Sequence, residues 1–210
     1  MTTNLKRVGL SVAALTLTFG LAACGSETTS SSSSTPTPVE QNTPSQTTDA
    51  SAEGTFGPAC DAIPKTGDGS FQGMSTAPVA TAASANPVLS TLVAAVTAAD
   101  LVDTLNSAPE ITVFAPANSA FEKIPAKDLD ALLKDKAALT KVLTHHVVGG
   151  KLSPEQVAGT HETLAGDKIT VEGSGESFTI PADSSNIVCG NVTTANATVY
   201  VIDTVLSPTS

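Results

Sequence analysis

The apolar positions of this chain fall into three regimes. From Val8 to Phe19 they form a near-continuous run, interrupted by Gly9, Ser11, Thr16 and Thr18. From Gly25 to about Gly54 they almost vanish, and Ser, Thr, Pro and Gln take over, with Ser30 to Ser34 unbroken. From about Phe56 to Pro208 they return with the periodicities of a folded domain.

Within the third regime, Asn86-Pro87 marks a helix start, and Val88, Leu89, Leu92, Val93 and Val96 follow at helical spacing. Leu101, Val102 and Leu105 predict a second short helix. Ile111-Thr112-Val113-Phe114 predicts a buried strand stopped by Ala115-Pro116, and Asn118 predicts the cap of a short helix carrying Phe121. Leu129, Leu132, Leu133, Leu139, Val142 and Leu143 predict the apolar sides of further helices. After Val147-Val148 and Gly149-Gly150 the period changes. Ser153-Pro154-Glu155 predicts one more short helix, and then Ile169–Glu172, Ser177–Ile180, Ile187–Cys189 and Ala197–Val205 predict strands. Gly173-Ser174-Gly175 reads as a hairpin turn. Helices clustered early and strands clustered late predict a single α+β domain of about 150 residues, enough for one buried core.

The first regime is an address rather than part of the fold. Lys6 and Arg7 precede an apolar run shorter than the roughly 20 residues that span a bilayer, which predicts a signal peptide over residues 1–23. Leu21-Ala22-Ala23-Cys24 resembles the bacterial lipobox, which implies a diacylated Cys24 anchoring the chain to the outer face of the cell membrane. The alternative is an ordinary secretory signal with a chance cysteine. Each buried methylene of an acyl chain contributes about 0.8 kcal/mol, so two chains hold a protein at a membrane. Residues 24–55 then form a Ser/Thr/Pro-rich tether too polar to offset its ordering entropy, and residues 56–210 form the domain.

Removal of the signal segment leaves eight lysines, no arginine and twenty acidic residues, a net charge of −12. Such a balance argues against nucleic-acid binding, where neutralisation of phosphate dominates affinity. With Cys24 assigned to lipid, Cys60 and Cys189 are expected to pair, since exported chains retain disulfides; two separate thiols are the alternative. The bond would close a loop of about 130 residues.

His145, His146 and His161 are the three histidines. Neighbours on a helix diverge by about 100°, so His145 and His146 do not converge on one metal there. His146 is expected to be a partly buried, hydrogen-bonded residue near a helix end. No nucleophile elbow, phosphate loop or dinucleotide fingerprint is present, so no catalytic residue, metal or cofactor is assigned and the chain is expected not to be an enzyme. Asn191-Val-Thr and Asn196-Ala-Thr are formal glycosylation sequons, read here as chance.

Three segments together resemble a known family. Ile111-Thr-Val-Phe-Ala-Pro-Ala-Asn-Ser-Ala-Phe121 is similar to the first signature of fasciclin domains, and Asn196-Ala-Thr-Val-Tyr-Val-Ile-Asp-Thr-Val-Leu206 to the second. Between them, Leu143-Thr-His-His-Val-Val148 resembles the central Leu-x-Tyr-His-x-Val segment. The resemblance spans Pro87 to Pro208. With the lipobox, the tether and the Cys60/Cys189 pair, the layout resembles the single-domain surface lipoprotein antigens of mycobacteria and related actinobacteria. In animal matrix members the Tyr-His pair is implicated in integrin-dependent attachment, which marks His145 and His146 as a possible interaction region. His145 stands at the Tyr position, a departure that leaves transfer of that role open.

The resemblance implies a surface module contacting matrix, host cells or other envelope components. The competing expectation is an envelope carrier or sensor that binds a lipid or another small apolar ligand.

Overall fold

The computed structural model describes residues 54–208; the signal segment, Cys24 and nearly all of the tether lie outside the described residues. Seven α-helices are present among them: α1 (Phe71–Ser75), α2 (Val79–Ala85), α3 (Ser90–Ala98), α4 (Val102–Ser107), α5 (Asn118–Glu122), α6 (Ala126–Lys134) and α7 (Lys136–His145). The strands are β1 (Ile111–Pro116), β2 (Val147–Gly149), β3 (Gly159–Glu162), β4 (Lys168–Ser174), β5 (Ser177–Ile180), β6 (Ser185–Thr193) and β7 (Ala197–Ile202). They form one sheet in the order β2-β1-β7-β6-β5-β4-β3. The early-helix, late-strand α+β architecture expected from the sequence is the one observed.

Only β1 and β7 run parallel, in register from Ile111 opposite Ala197 to Pro116 opposite Ile202. Every residue of both strands is buried. The two-residue period of a strand then divides their side chains between two cores. Ile111, Val113, Ala115, Ala197, Val199 and Val201 face the helices. Phe114, Tyr200 and Ile202 face the other way, where Phe56, Phe178, Ile169 and Val171 join them. That second core is enclosed because the sheet curls until its edge strands meet at a bridge between Val148 and Thr163.

Register shifts in β6 decide the position of the disulfide. An unbroken strand would place Cys189 on the same face as Ile187, in the aromatic core. A shift between Ile187 and Cys189 turns the cysteine to the helical side instead. There it bonds Cys60, with an S–S distance of 2.01 Å and a sequence separation of 129. Phe56 pairs with Gly190 on the next rung of the same strand. Gly190 has to be glycine, since a Cβ there would stand 2.2 Å from the Phe56 ring.

Three details differ from the expected pattern. Asn118 does cap a helix, but not its own. Its Oδ1 accepts from the Thr91 N–H at 3.0 Å, inside the first turn of α3, while its amide donates to Pro87 O at 2.8 Å. The Ser153-Pro154-Glu155 segment makes a single turn instead of a helix: Gln156 and Val157 both donate to Ser153 O, and Val157 is then drawn fully into the aromatic core. Strand β3 and helices α1 and α2 have no counterpart in the sequence reading.

Replacing Cys60 and Cys189 together by Ala is expected to destabilise the domain by roughly 2–5 kcal/mol, visible as a lower urea midpoint. Added reductant should reproduce that loss in the parent chain and do nothing to the variant.

Candidate functional site

The Leu143–Val148 segment folds as the end of α7 and the start of β2, the point where the helical layer passes into the sheet. His146 sits on that corner with 2% of its surface exposed. Its Nδ1 lies 2.7 Å from Val142 O, a pure acceptor, so Nδ1 carries the proton. Its Nε2 accepts from the Leu206 N–H at 2.9 Å. The backbone of the same residue accepts from the Phe114 N–H at 2.8 Å. One neutral ring and its carbonyl thus tie α7, β1 and the C-terminal segment together. Burial is the main reason that its pKa falls from 6.5 to about 4; the Val142 carbonyl opposes the shift and His145 adds to it.

His145 is equally buried, at 2% exposure, and points elsewhere: the two ring centroids are 6.2 Å apart with planes at 89°. Its Nδ1 donates to Asp167 Oδ1 at 2.7 Å. The Thr163 hydroxyl donates to the same oxygen. Burial disfavours the Asp167 carboxylate, but the bonds from Thr163 and His145 outweigh it and hold its pKa below the usual range. Asp167 lies in the turn Thr163–Asp167, which is fixed again by Leu164 N–H donating to Val147 O at 2.8 Å. The turn presents Leu164, 51% exposed and the sole large exposed hydrophobic among the described residues.

The histidine pair is therefore not a contact patch in itself. Both rings are committed to internal hydrogen bonds, and what reaches solvent is the turn that His145 holds in place. His161, on β3, is separately engaged with Val157 O at 2.9 Å. Among the described residues no cluster of three His, Cys, Asp or Glu side chains is arranged to hold a metal.

Asn196, the first residue of the second signature, has a structural role that the sequence alone did not show. Its amide donates to Leu105 O and Ala108 O, each at 2.8 Å, at the end of α4. Its Oδ1 accepts from the Val79 N–H at 2.9 Å, at the start of α2. One side chain thus staples two helices to the rim of β7, and a glycan on that nitrogen would break the staple. The signal for it was its place directly before the strand. Thr163 and Asp167 gave no such signal, being ordinary turn residues by type.

Comparison with known proteins agrees with this geometry. The fasciclin domain family matches residues 87–208. The chain belongs to the fasciclin family. It is 44% identical over 213 residues to the cell surface glycolipoprotein MPB83 of Mycobacterium bovis, covering 94% of this chain and 93% of that protein. It is 50% identical over 167 residues to the immunogenic protein MPB70 of the same species, covering 76% and 85%. Among solved structures it resembles a FAS1 domain pair from the insect cell adhesion molecule fasciclin I, at 17% identity with a TM-score of 0.52. That match covers 65% of this chain and 52% of the insect chain, so this chain spans about half the length of the pair and shares its fold. In fasciclin terms, the two signatures are β1–α5 and β7, which lie side by side as the parallel pair.

The His146 corner makes stability depend on pH in a defined direction. Because the folded pKa lies below the unfolded one, the unfolded chain takes up a proton that the folded chain refuses. Stability is complete above pH 6.5 and is lost progressively as pH falls to about 4, by something on the order of 3 kcal/mol. Carboxylates held low, such as Asp167 and Asp203, add their own loss only below their ordinary value of 3.8. A His146→Leu variant should be less stable at neutral pH and should show a flatter stability profile between pH 6.5 and 5 in urea titrations. An unchanged slope would remove His146 as its cause.

Proposed function

We propose that this fasciclin protein is a bacterial cell-surface lipoprotein whose domain mediates non-enzymatic contact with matrix, host cells or other envelope components. In this reading residues 1–23 are the signal peptide, Cys24 bears the lipid, residues 24–55 are the tether and residues 56–210 are the displayed domain. The observation that carries it is the match to a protein named as a cell surface glycolipoprotein. That match leaves only about 13 residues of this chain uncovered, so it runs through Cys24 and the tether as well as the domain.

The contact face in this proposal is the Leu164 turn rather than the histidines. Leu164 is the large hydrophobic side chain that the described residues leave exposed, and it gives a partner an apolar point to cover. His145 and Asp167 hold that turn against β2, so recognition would not have to order it first.

Two measurements test separate halves of the proposal. Wild-type protein should partition into the detergent phase on phase separation, and the Cys24→Ala variant should move to the aqueous phase. Cells carrying Leu164→Asp should attach to matrix-coated surfaces several-fold more weakly than the parent, while the purified variant keeps its stability within about 0.5 kcal/mol, as surface changes do. Attachment equal to the parent in both this variant and a gene deletion would end the contact reading.

A further inference from the structure

We propose that the space between the α2–α4 layer and the sheet is a binding site for the end of one unbranched alkyl chain. This goes beyond the contact function and does not rest on it. The observation is an internal cavity of about 50 Å³ at the helix–sheet boundary. Its sheet side is formed by Val113, Val199 and Val201, and its helical side by Ala83, Val93 and Leu105.

Three features define what would occupy it. First, the polar side chains on its wall are already engaged. Asn86 accepts from the Val88 N–H and donates to Met74 Sδ, Thr194 bonds Ala197, and both nitrogens of His146 are used. A water there would find nothing to bond, whereas a hydrocarbon needs nothing. Second, the size selects a slender occupant. A cavity of about 150 Å³ accommodates benzene, so a third of that accepts two or three carbons of a chain and no ring. Third, there is a route in. The lining residues of the sheet are buried, but Ala80, Ala83, Val93, Val102 and Leu105 on the helices are only partly buried. The seam between α2 and α4 is the mouth.

The surroundings of that mouth suit an amphiphile. From Gly69 to Ala99, the stretch that carries α2 and α3, there is no charged residue, in a chain whose overall charge is −10; on α4, the other side of the seam, Asp103 is exposed. An alkyl chain approaching α2 and α3 therefore displaces no ionic hydration. The outward residues there are Ala, Ser, Thr, Gln and Pro87, which leave a hydroxyl or ester head in a mildly polar setting. The terminal carbons would enter the existing space, and the next few would lie along the seam.

The test uses the mature chain carrying Cys24→Ser, so that no lipid of its own competes, with the Cys60–Cys189 bond formed. Monomeric 1-decanol is titrated while methyl carbon–proton NMR is recorded. Saturable shifts are expected at the deep methyls of Val113 and Val199, at least tenfold weaker in Ala83→Leu, which fills the mouth. Leu105→Ala, which widens it, should bind at least fivefold more tightly, and it decides the matter if Ala83→Leu does not fold. Absence of saturable shifts in the parent chain, shifts confined to exposed residues, or affinity unchanged by these substitutions would overturn the proposal. Repeating the titration with phosphatidylcholine vesicles separates the sources: movement of the same methyls assigns a bilayer lipid, and movement with the monomer alone assigns a free amphiphile.

Discussion

The structure depends on the parallel pairing of β1 with β7. A parallel pair needs a long connection, and here that connection is nearly the whole second part of the domain, from α5 through β6. Both strands are buried on both faces, so each must be apolar at almost every position. Two of the polar side chains admitted, Thr112 and Tyr200, are tied to the neighbouring loop. Thr112 donates to Gly150 O and accepts from the Leu152 N–H, and the Tyr200 hydroxyl donates to Leu152 O. These bonds place the β2–β3 connection, so the central pair sets the geometry of a loop that neither strand touches in sequence. The same burial raises the pKa of Tyr200 well above its ordinary value, with nearby Glu155 adding to the shift.

From that pair the remaining layers follow by attachment at a few polar points. His146 joins α7 to the strand layer and to the C-terminal segment. Asn196 joins α2 and α4, Asn118 joins α3 to α5, and Asn106 caps α2 through the Ala80 and Thr81 amides. None of the seven helices exceeds ten residues, a length at which a helix is marginal by itself. Their stability is therefore tertiary, and long-range side-chain caps do what intrinsic propensity does not.

These same attachments explain which parts of the fold were legible in the sequence. β1 and β7 were plain because double-sided burial writes a continuous apolar run. α3, α4, α6 and α7 were visible through their spaced Leu and Val. α1 and α2 were not, because their residues are mostly Ala, Ser, Thr and Gly, whose pattern carries little contrast; they are helical because Ser70, Asn106 and Asn196 cap them. β3, Gly-Thr-His-Glu, is largely exposed and exists because the curled sheet offers it β4 on one side and Val148 near the other. At the site, the histidines were noticeable by type and their burial by position near a helix end. Their partners were not, since nothing local distinguishes Asp167 or Thr163 from any other turn residue.

The two cores differ in a way that bears on function. The aromatic core gathers Phe56, Phe114, Phe178 and Tyr200, with ring centroids 5.4–6.3 Å apart between neighbours. Large rings fill a curled sheet well, and adjacent strands hydrogen-bond one another around it. The helical core relies on Ala, Val and Leu under short helices, and short side chains projecting from curved layers leave residual space. Local opening in a protein is easiest where buried contacts are small and backbone bonds are confined within short helices. The rigid element is thus the sheet with the His146 corner and the Leu164 turn beside it, and the deformable element is the uncharged α1–α3 layer.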